Sequence, residues 1–362
     1  MSMVQVIRTP EAFEAVAHDW DNALIAKPDS QVFLSSFWLL RWMRAFGDPQ
    51  TNCILLGRDD DGQIILQAAF ERVRERGFRT LRAMTNVHTS RWGVSATEEG
   101  MELLGNWVRT RSRAAVARFG RLDIEAGHRN LTSPSYQIEQ VDLPLIDTSL
   151  PYDDFVASKS RNFRKSLRRS LAKQDHIHTE VRDDGHSCLD AVKKVSSSTW
   201  KFKEGTAIVS NPTTETFFMS LLDPTLPTSL VKPQLVLMRD THTNDESVGF
   251  MICLSFNGRL YAIKMGLDER VMEISPGMGA LNAVVEHACG DPNLSQIDLD
   301  ARGPHGDYKL RWSSRTDTLE TVLGFAPNAM GRTAHGLWKL KTKLKSSRDA
   351  GGAHSKSPGE FL

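Results

Sequence analysis

The order of elements in the second half of the chain most constrains the fold: three consecutive strand-like segments, a helix, and a fourth strand-like segment. The first three are QLVLMRD (234–240), SVGFMICLSF (247–256) and RLYAIKMG (259–266). Turn residues join them, THTNDE before the second and Asn257-Gly258 before the third, so we expect an antiparallel meander. The fourth segment, SQIDLDARG (295–303), follows a helix. A strand that returns across a helix runs parallel to its neighbour, and the sequence therefore predicts a mixed sheet.

The first half repeats this order. Its strand-like segments NCILLGRD, QIILQAAFERV and FRTLRAMTN precede a predicted helix at 100–119 and a strand, RLDIEAG, at 121–127. The phrases FGRLDIEAG (119–127) and LSQIDLDARG (294–303) also share a hydrophobic-Asp-hydrophobic-acid pattern. We infer an internal duplication. The predicted fold class is α/β (α+β), with two tandem domains that each contain a mixed, mostly antiparallel sheet flanked by helices.

Domain boundaries follow from length and local composition. A chain of 362 residues is long enough for two domains at roughly 150 residues each. We place the N-terminal domain at 1–148 and the C-terminal domain at 176–338, with a basic helical connector at 149–175 between them. The basic tail at 339–362 begins with a helical pattern and ends rich in Gly, Ser and Pro, so we expect it to be disordered.

Composition indicates a water-soluble globular protein. Hydrophobic residues make up 40% and charged residues 25% of the chain, and the formal net charge is +1, which argues against a general nucleic-acid binder. The sequence contains neither a signal-peptide pattern nor an uninterrupted apolar run of about 18 residues. The four cysteines are widely spaced and form no C-x-x-C pair. We therefore expect a cytoplasmic location.

A glycine pair precedes the helix of the second half. Leu281, Val284, Val285 and Ala288 recur at helical spacing, which predicts a helix that begins at about Gly279. Ser275, Pro276 and the two glycines, Gly277 and Gly279, would then form the turn into it. The first amides of a helix have no internal partner and carry partial positive charge, so a turn without side chains can admit a phosphate. Alternatively, the glycines satisfy a tight turn with positive φ or close packing of strand and helix.

Several other site types lack their signature. The third glycine of a dinucleotide fingerprint is replaced by Asn282, and no Walker A or G-x-S-x-G sequence occurs in the chain. His176 and His178 share a strand face and could both bind a metal, but no suitably spaced His or Cys pair accompanies them. We therefore expect a solvent-facing strand and no metal.

Several segments, in their order along the chain, carry a family resemblance. They are FLSSFWLLRWMRAFG (33–47), the basic connector helix, ISPGMGALNAVVEHA (274–288), IDLDARG (297–303) and GDYKLRW (306–312). Together they resemble the GNAT acyltransferase superfamily, in particular its BioF2-like, CelD-type branch, which has two GNAT-like halves and is related to the Fem peptidyltransferases. The resemblance covers residues 5–335.

The resemblance implies a cofactor site at the glycine turn. In such proteins this turn holds the pyrophosphate of acetyl-CoA or another acyl-CoA, and the gap between the flanking strands admits the thioester arm. The matching positions here are Ser275, Gly277, Met278, Gly279 and Ala280. The first half has no glycine pair at the equivalent helix, which implies that it has lost cofactor binding.

The same resemblance suggests catalytic residues. Tyr308 matches the tyrosine that protonates the leaving thiolate in many GNAT enzymes, and Asp307, Lys309 and Trp312 belong to the same signature as candidate substrate-binding residues. Lys309 and Trp312 could instead fix the last helix to the sheet. The general base stays open among Asp298 and Asp300, which share a strand face, Asp268 or Glu269, and a water molecule.

The connector helix 159–173 contains seven basic residues and no acid. A phosphate-rich ligand would relieve the repulsion between these charges, so Arg164 and Arg168 are candidates for binding coenzyme phosphates, tRNA or a sugar nucleotide. The alternative is a basic helix packed against acidic residues such as Asp153 and Asp154.

These inferences favour an N-acyltransferase that moves an acyl group from acyl-CoA to an amine acceptor. The acceptor would be an amino sugar, an amino acid, or a cell-envelope or polysaccharide precursor. Two alternatives remain at this stage: a Fem-like transferase that uses aminoacyl-tRNA, and a non-catalytic binding protein of exopolysaccharide biosynthesis.

Overall fold

The computed structural model describes residues 3–123, 134–223, 230–302 and 307–349. Its helices are α1 (Pro10–Glu14), α2 (Ala17–Ile25), α3 (Ser36–Phe46), α4 (Glu98–Thr110), α5 (Tyr152–Ser158), α6 (Arg161–Ala172), α7 (Leu189–Ser197), α8 (Trp200–Lys203), α9 (Pro212–Leu221), α10 (Pro276–Gly290), α11 (Asp307–Trp312) and α12 (Ala329–Asp349). Its strands are β1 (Met3–Ile7), β2 (Asn52–Arg58), β3 (Ile64–Glu75), β4 (Phe78–Ala83), β5 (Ser95–Ala96), β6 (Val116–Asp123), β7 (Ser135–Asp147), β8 (Ile177–Arg182), β9 (Lys232–Asp240), β10 (Glu246–Phe256), β11 (Arg259–Leu267), β12 (Gln296–Asp298) and β13 (Arg315–Phe325).

The chain divides into two compact units that are not continuous in sequence. Unit 1 contains Met1–Leu34, Gly47–Asp142 and Thr318–Leu362, and unit 2 contains Ser35–Phe46 and Leu143–Asp317. Each unit therefore includes one segment from the other half of the chain. The predicted domain boundaries at 148/149 and 175/176 stay a prediction.

The sheet of unit 2 has the strand order β7-β12-β11-β10-β9-β8. Strands β8, β9, β10 and β11 pair with one another in antiparallel order, and β11 pairs in parallel with β12. The predicted meander and the predicted parallel strand are both confirmed. Helix α10 connects β11 to β12 and buries Leu281, Val284, Val285 and Ala288 against the sheet. This apolar stripe explains why a helix rather than a turn connects the two strands.

Unit 1 repeats the same succession of elements. Strands β2, β3 and β4 form an antiparallel meander, α4 follows β4, and β6 pairs in parallel with β4 over Val116–Arg118. Its sheet order is β1-β2-β3-β4-β6-β13. The described part of the chain is thus a mixed α/β fold of the predicted kind. Residues 124–127 of the predicted strand RLDIEAG lie outside the described residues.

Helix α3 belongs to unit 2 although it lies early in the sequence. Its Trp38 packs edge-to-face on Phe217 of α9, with ring centroids 5.0 Å apart. Arg41 of α3 donates from Nε to the carbonyl of Ser220 at 2.8 Å. Aromatic packing and a charged hydrogen bond therefore hold this segment in unit 2.

The last helix, α12, extends to Asp349, so the first part of the predicted basic tail continues a helix of unit 1. Residues 350–362, for which disorder is predicted, lie outside the described residues. Among the helices of the described chain, none combines the length and the apolar character needed to cross a bilayer.

Candidate functional site

The two parallel strands of unit 2 separate soon after they begin to pair. Pairing joins Arg259–Tyr261 of β11 to Gln296–Asp298 of β12, and there β12 ends while β11 continues to Leu267. The side chain of Asp298 accepts a hydrogen bond from the amide of Asp300 at 2.9 Å, and Asp300 adopts a left-handed conformation with φ of 67°. This local turn directs the chain away from β11. The result is the opening between strands that the resemblance implies.

A β-bulge in β11 lies beside this opening. Ile252 of β10 pairs with Lys264, whereas the next residue, Cys253, pairs with Ala262, so the register skips Ile263. A bulge adds one residue to one strand and re-aims the neighbouring side chains. Lys264 is therefore placed by an irregular part of the strand, next to the point where β12 departs.

The glycine segment differs from the sequence prediction. Helix α10 begins at Pro276, three residues before the predicted start, because proline at the first helical position sacrifices no hydrogen bond. The positive φ of 57° belongs to Ser275, and neither Gly277 nor Gly279 has a positive φ. Both glycines lie in the first helical turn rather than in a turn that precedes the helix.

The two glycines have different surroundings. A Cβ at Gly279 would lie 2.0 Å from Oε1 of Gln174. The side-chain amide of Gln174 donates to the carbonyls of Ile274 and Ser275, both at 3.0 Å, so it covers the start of α10. A Cβ at Gly277 would meet nothing nearer than Leu267 Cδ1 at 3.4 Å. Close packing explains Gly279, whereas Gly277 has room for a side chain.

The five candidate cofactor residues therefore form one helical start. Ser275 is exposed, Gly277 and Met278 are half-buried, and Gly279 and Ala280 are buried. The amide of Met278 donates to the carbonyl of Ser275 at 3.0 Å, whereas the amide of Gly277 has no partner among the described residues. An anion at this helix start would find one bare, half-buried donor and the positive end of the helix dipole.

Three of the predicted residues lie together after β12. The ammonium of Lys309 lies 3.8 Å from Oδ2 of Asp300 and 3.4 Å from the carbonyls of Asp300 and Ala301. Burial, with a smaller effect from the charge of Asp300, raises the pKa of Tyr308 to about 12. Tyr308, Lys309 and Asp300 thus form one polar cluster at the opening.

The other predicted residues have different surroundings. Trp312 of α11 is fully buried and packs edge-to-face on Phe163 of α6, with ring centroids 4.9 Å apart, so it joins these two helices in the core of unit 2. Asp307 is exposed and lies 3.6 Å from Arg302. Asp298 is buried.

The two alternative bases, Asp268 and Glu269, are both in ion pairs. Nη2 of Arg270 lies 2.8 Å from Asp268, and Nζ of Lys203 lies 2.7 Å from Glu269. Hydrogen bonds from Arg270 keep the pKa of Asp268 below its ordinary value although burial acts in the opposite direction. These pairs leave Asp300 as the candidate carboxylate nearest to Tyr308 and Lys309.

Two lysines that the sequence analysis did not select also lie at the opening. Lys201 of α8 donates to the carbonyl of Met265 at 2.8 Å, and Lys264 of β11 donates to the carbonyl of Thr206 at 3.0 Å. Burial, followed by the charge of Lys201, lowers the pKa of Lys264 to about 8, against an opposing effect of Asp300. Burial, followed by the charge of Lys309, also lowers the pKa of Lys201. One sequence signal was present, because Lys264 lies in an apolar part of the strand, between Ile263 and Met265.

The basic helix α6 presents most of its charges to solvent. It buries Phe163, Leu167 and Ser170, while its exposed face carries Arg161, Arg164, Lys165, Arg168 and Arg169. Nη1 of Arg164 donates to the carbonyl of Ala157 at 2.7 Å. Within the described ranges no carboxylate, including those of Asp153 and Asp154, forms an ion pair with these five cations. The predicted packing of α6 against acidic residues therefore has no ion pair to support it there.

One further group of side chains lies at the β8–β9 edge. His176, Asp240 and His242 each offer a ligand atom, and these atoms lie within 4.8 Å of one another. The two imidazole rings stack in parallel, with centroids 4.5 Å apart and an interplanar angle of 3°. Parallel rings do not direct their nitrogen lone pairs at a common point, and tetrahedral zinc sites require such convergence.

Comparison with known proteins agrees with this geometry. Residues 158–310 match the family model of the Acetyltransferase (GNAT) domain. No curated protein sequence matches the chain.

Solved structures show the same fold. FemX has a TM-score of 0.57 at 8% identity, covering 84% of this chain and 95% of FemX. L-PGS from Bacillus licheniformis has a TM-score of 0.53 at 12% identity, covering 90% of this chain and 95% of that one. The DUF2156 C-terminal domain of a protein assigned as lysylphosphatidylglycerol synthetase from Agrobacterium fabrum has a TM-score of 0.56 at 11% identity, covering 86% and 91%. Residues 158–310 are therefore similar to a GNAT domain, and the chain shares its fold with these three solved structures.

Proposed function

We propose that this protein is a GNAT-type N-acyltransferase that moves an acyl group from acetyl-CoA or another acyl-CoA to an amine. The acceptor would be an amino sugar, an amino acid, or a cell-envelope or polysaccharide precursor. The observation that carries the proposal is the opening between β11 and β12. The first turn of α10, which contains Gly277, follows β11 in sequence, and Tyr308, Lys309 and Asp300 border the opening. It combines an anion-binding helix start with a bare strand edge and proton-bearing side chains.

The first turn of α10 would hold the pyrophosphate. The Gly277 amide is the donor, since it has no partner among the described residues. Bound acyl-CoA would supply the activated thioester. On β11, the residues after Tyr261 have no β12 partner, so their backbone groups can bind the acyl-donor arm and polarise its carbonyl.

The proton-transfer roles follow from the same cluster. Asp300 is half-buried and would accept a proton from the acceptor amine, directly or through water. The pKa of Tyr308 near 12 keeps its phenol protonated at neutral pH. A phenol this weak donates a hydrogen bond to the departing thiolate more readily than it gives up the proton, and the ammonium of Lys309 would stabilise the charge that develops there.

Calorimetric titration of acetyl-CoA into the purified protein, followed by a thiol-release assay with a panel of amines, tests the proposal. Binding together with amine-dependent thiol release supports it. A protein that binds neither acetyl-CoA nor longer acyl-CoA forms would contradict it. A non-catalytic role in exopolysaccharide or cellulose assembly would then fit better, provided that tRNA is not bound either.

A second candidate function is aminoacyl transfer from tRNA, which the exposed cations of α6 favour. A gel-shift assay with charged tRNA and the R164A/R168A/R169A variant distinguishes it. The variant should lose the shift if α6 binds the RNA backbone, and the effect should weaken at high salt. K203A is a matched control, because Lys203 is an exposed lysine outside α6.

A further inference from the structure

Lys201 and Lys264 connect the same two segments in opposite directions. Lys201 extends from α8 to the backbone of β11 at Met265, while Lys264 extends from β11 to the backbone after α8 at Thr206. Both side chains are half-buried. Their ammonium groups are close enough that the charge of Lys201 acts on Lys264.

The hydrogen bonds to protein use only part of the donor capacity of these two ammonium groups. An ammonium has three N–H donors, and each of these two has one acceptor among the described residues. Lys309 adds a third cation that acts on Lys201, and Asp300 is the carboxylate that acts on both Lys201 and Lys264. Three cations and one carboxylate thus lie close to one another at the opening between β11 and β12.

A purely structural role explains this arrangement poorly. Two hydrogen bonds to backbone carbonyls could be made by neutral amide side chains such as Gln, without repulsion between like charges or the loss of ammonium hydration. The two lysines incur both the repulsion between like charges and the loss of hydration. A negatively charged ligand would remove the repulsion and use the remaining donors.

The geometry points to an anion-binding site, formed by Lys201 and Lys264, for a carboxylate or phosphate group of the acceptor. The assignment of this anion to the acceptor rests on the proposed function, whereas the existence of the anion site does not. A carboxylate would indicate an amino-acid-like acceptor, and a phosphate would indicate a sugar phosphate or a nucleotide sugar.

Nuclear magnetic resonance of lysine-labelled full-length protein tests the site without any acyl donor. The protein is titrated with acetate and, separately, with inorganic phosphate, while the side-chain resonances of Lys201 and Lys264 are followed. We expect saturable shifts of both resonances and a higher pKa of Lys264 when the anion is bound. A saturable response to acetate alone assigns the carboxylate source, and one to phosphate alone assigns the phosphate source.

Variants separate this site from other anion-binding surfaces. K201Q and K264Q should each weaken binding of the favoured anion by about tenfold, as expected when a charged hydrogen bond is lost. K264R should retain most of the affinity. K203Q, which changes an exposed lysine of the same helix, should not alter it.

The outcomes also separate this inference from the proposed function. If neither anion shifts the Lys201 and Lys264 resonances of the wild-type protein, the inference is wrong, even if acetyl-CoA binds and turns over. If the anion binds through these lysines but no acyl-CoA is accepted, the site stands and the acyltransferase proposal fails.

Discussion

The carboxylate of Asp298 accepts a hydrogen bond from the backbone amide of Asp300, two residues further along the chain, at 2.9 Å. This contact forms where β12 ends and the chain turns away from β11. Asp298 therefore shapes the opening, whereas Asp300, which is more exposed, borders it.

Substitution of Asp298 should separate a structural role from a catalytic one. D298N keeps an oxygen that accepts the Asp300 amide and should retain most of the activity. D298A leaves a buried donor without its partner and should cost about 1–3 kcal/mol of unfolding free energy. Denaturant unfolding measures stability, and thiol release measures activity. A D298N variant that is stable but inactive would instead assign the general base to Asp298.

Gly277 offers a test of the cofactor site that spares the fold. Its φ is not positive and a Cβ has room, so G277A should raise stability by up to about 1 kcal/mol and preserve acetyl-CoA binding. G277D places a negative charge in the first turn of α10, which favours the helix but repels pyrophosphate. Calorimetry should therefore show lost acetyl-CoA binding in G277D with no loss of thermal stability. Equal affinity of G277A and G277D for acetyl-CoA would show that the pyrophosphate does not bind at this position.

Tyr308 should act in turnover and not in cofactor binding. Y308F removes the phenol hydrogen bond to the departing thiolate, so we expect kcat to fall by about tenfold to a hundredfold while acetyl-CoA affinity stays the same. Because the pKa of Tyr308 is about 12, it should add no limb to the pH–rate profile between pH 6 and 9. An unchanged kcat in Y308F would exclude this role.

Lys264 should make stability depend on alkaline pH. Its pKa falls from 10.5 in the unfolded chain to about 8 in the folded protein. Between these values the unfolded state binds more protons, so the contribution of Lys264 to stability rises with pH across this window, and the cost of burying the charged form is present in full below it. K264M, which has no charge, should be more stable than wild type at pH 7. The difference in Tm between K264M and wild type should narrow toward pH 10. A difference that stays constant with pH would contradict the lowered pKa of Lys264.

The meander and the parallel strand of unit 2 could be predicted because their signals are local. Alternating apolar residues and the Asn257-Gly258 turn specify antiparallel neighbours, and a connecting helix requires a parallel return. The apolar stripe predicts helix α10 but places its start about three residues too late. Two glycines suggested a turn, whereas Pro276 and the left-handed Ser275 set the boundary.

The candidate site was predictable only where a family signature marks it. Tyr308 and Lys309 belong to the signature GDYKLRW, whereas the sequence offers Asp300 only as one of several candidate bases. Lys201 reaches the same opening from a short helix far away in sequence, through a hydrogen bond to a backbone carbonyl. Such a contact depends on tertiary packing, and no spacing rule along the chain predicts it.

The exchange of segments between the halves has a consequence for synthesis. The portion of β13 from Thr318 onward completes the sheet of unit 1 beside β6, so a ribosome delivers this strand only after unit 2 has been made. Until then, the nascent N-terminal half presents an unpaired β6 edge, and such edges promote aggregation. We expect the fragment 1–148 to be poorly soluble when expressed alone, and its unit to fold only once the whole chain has left the ribosome.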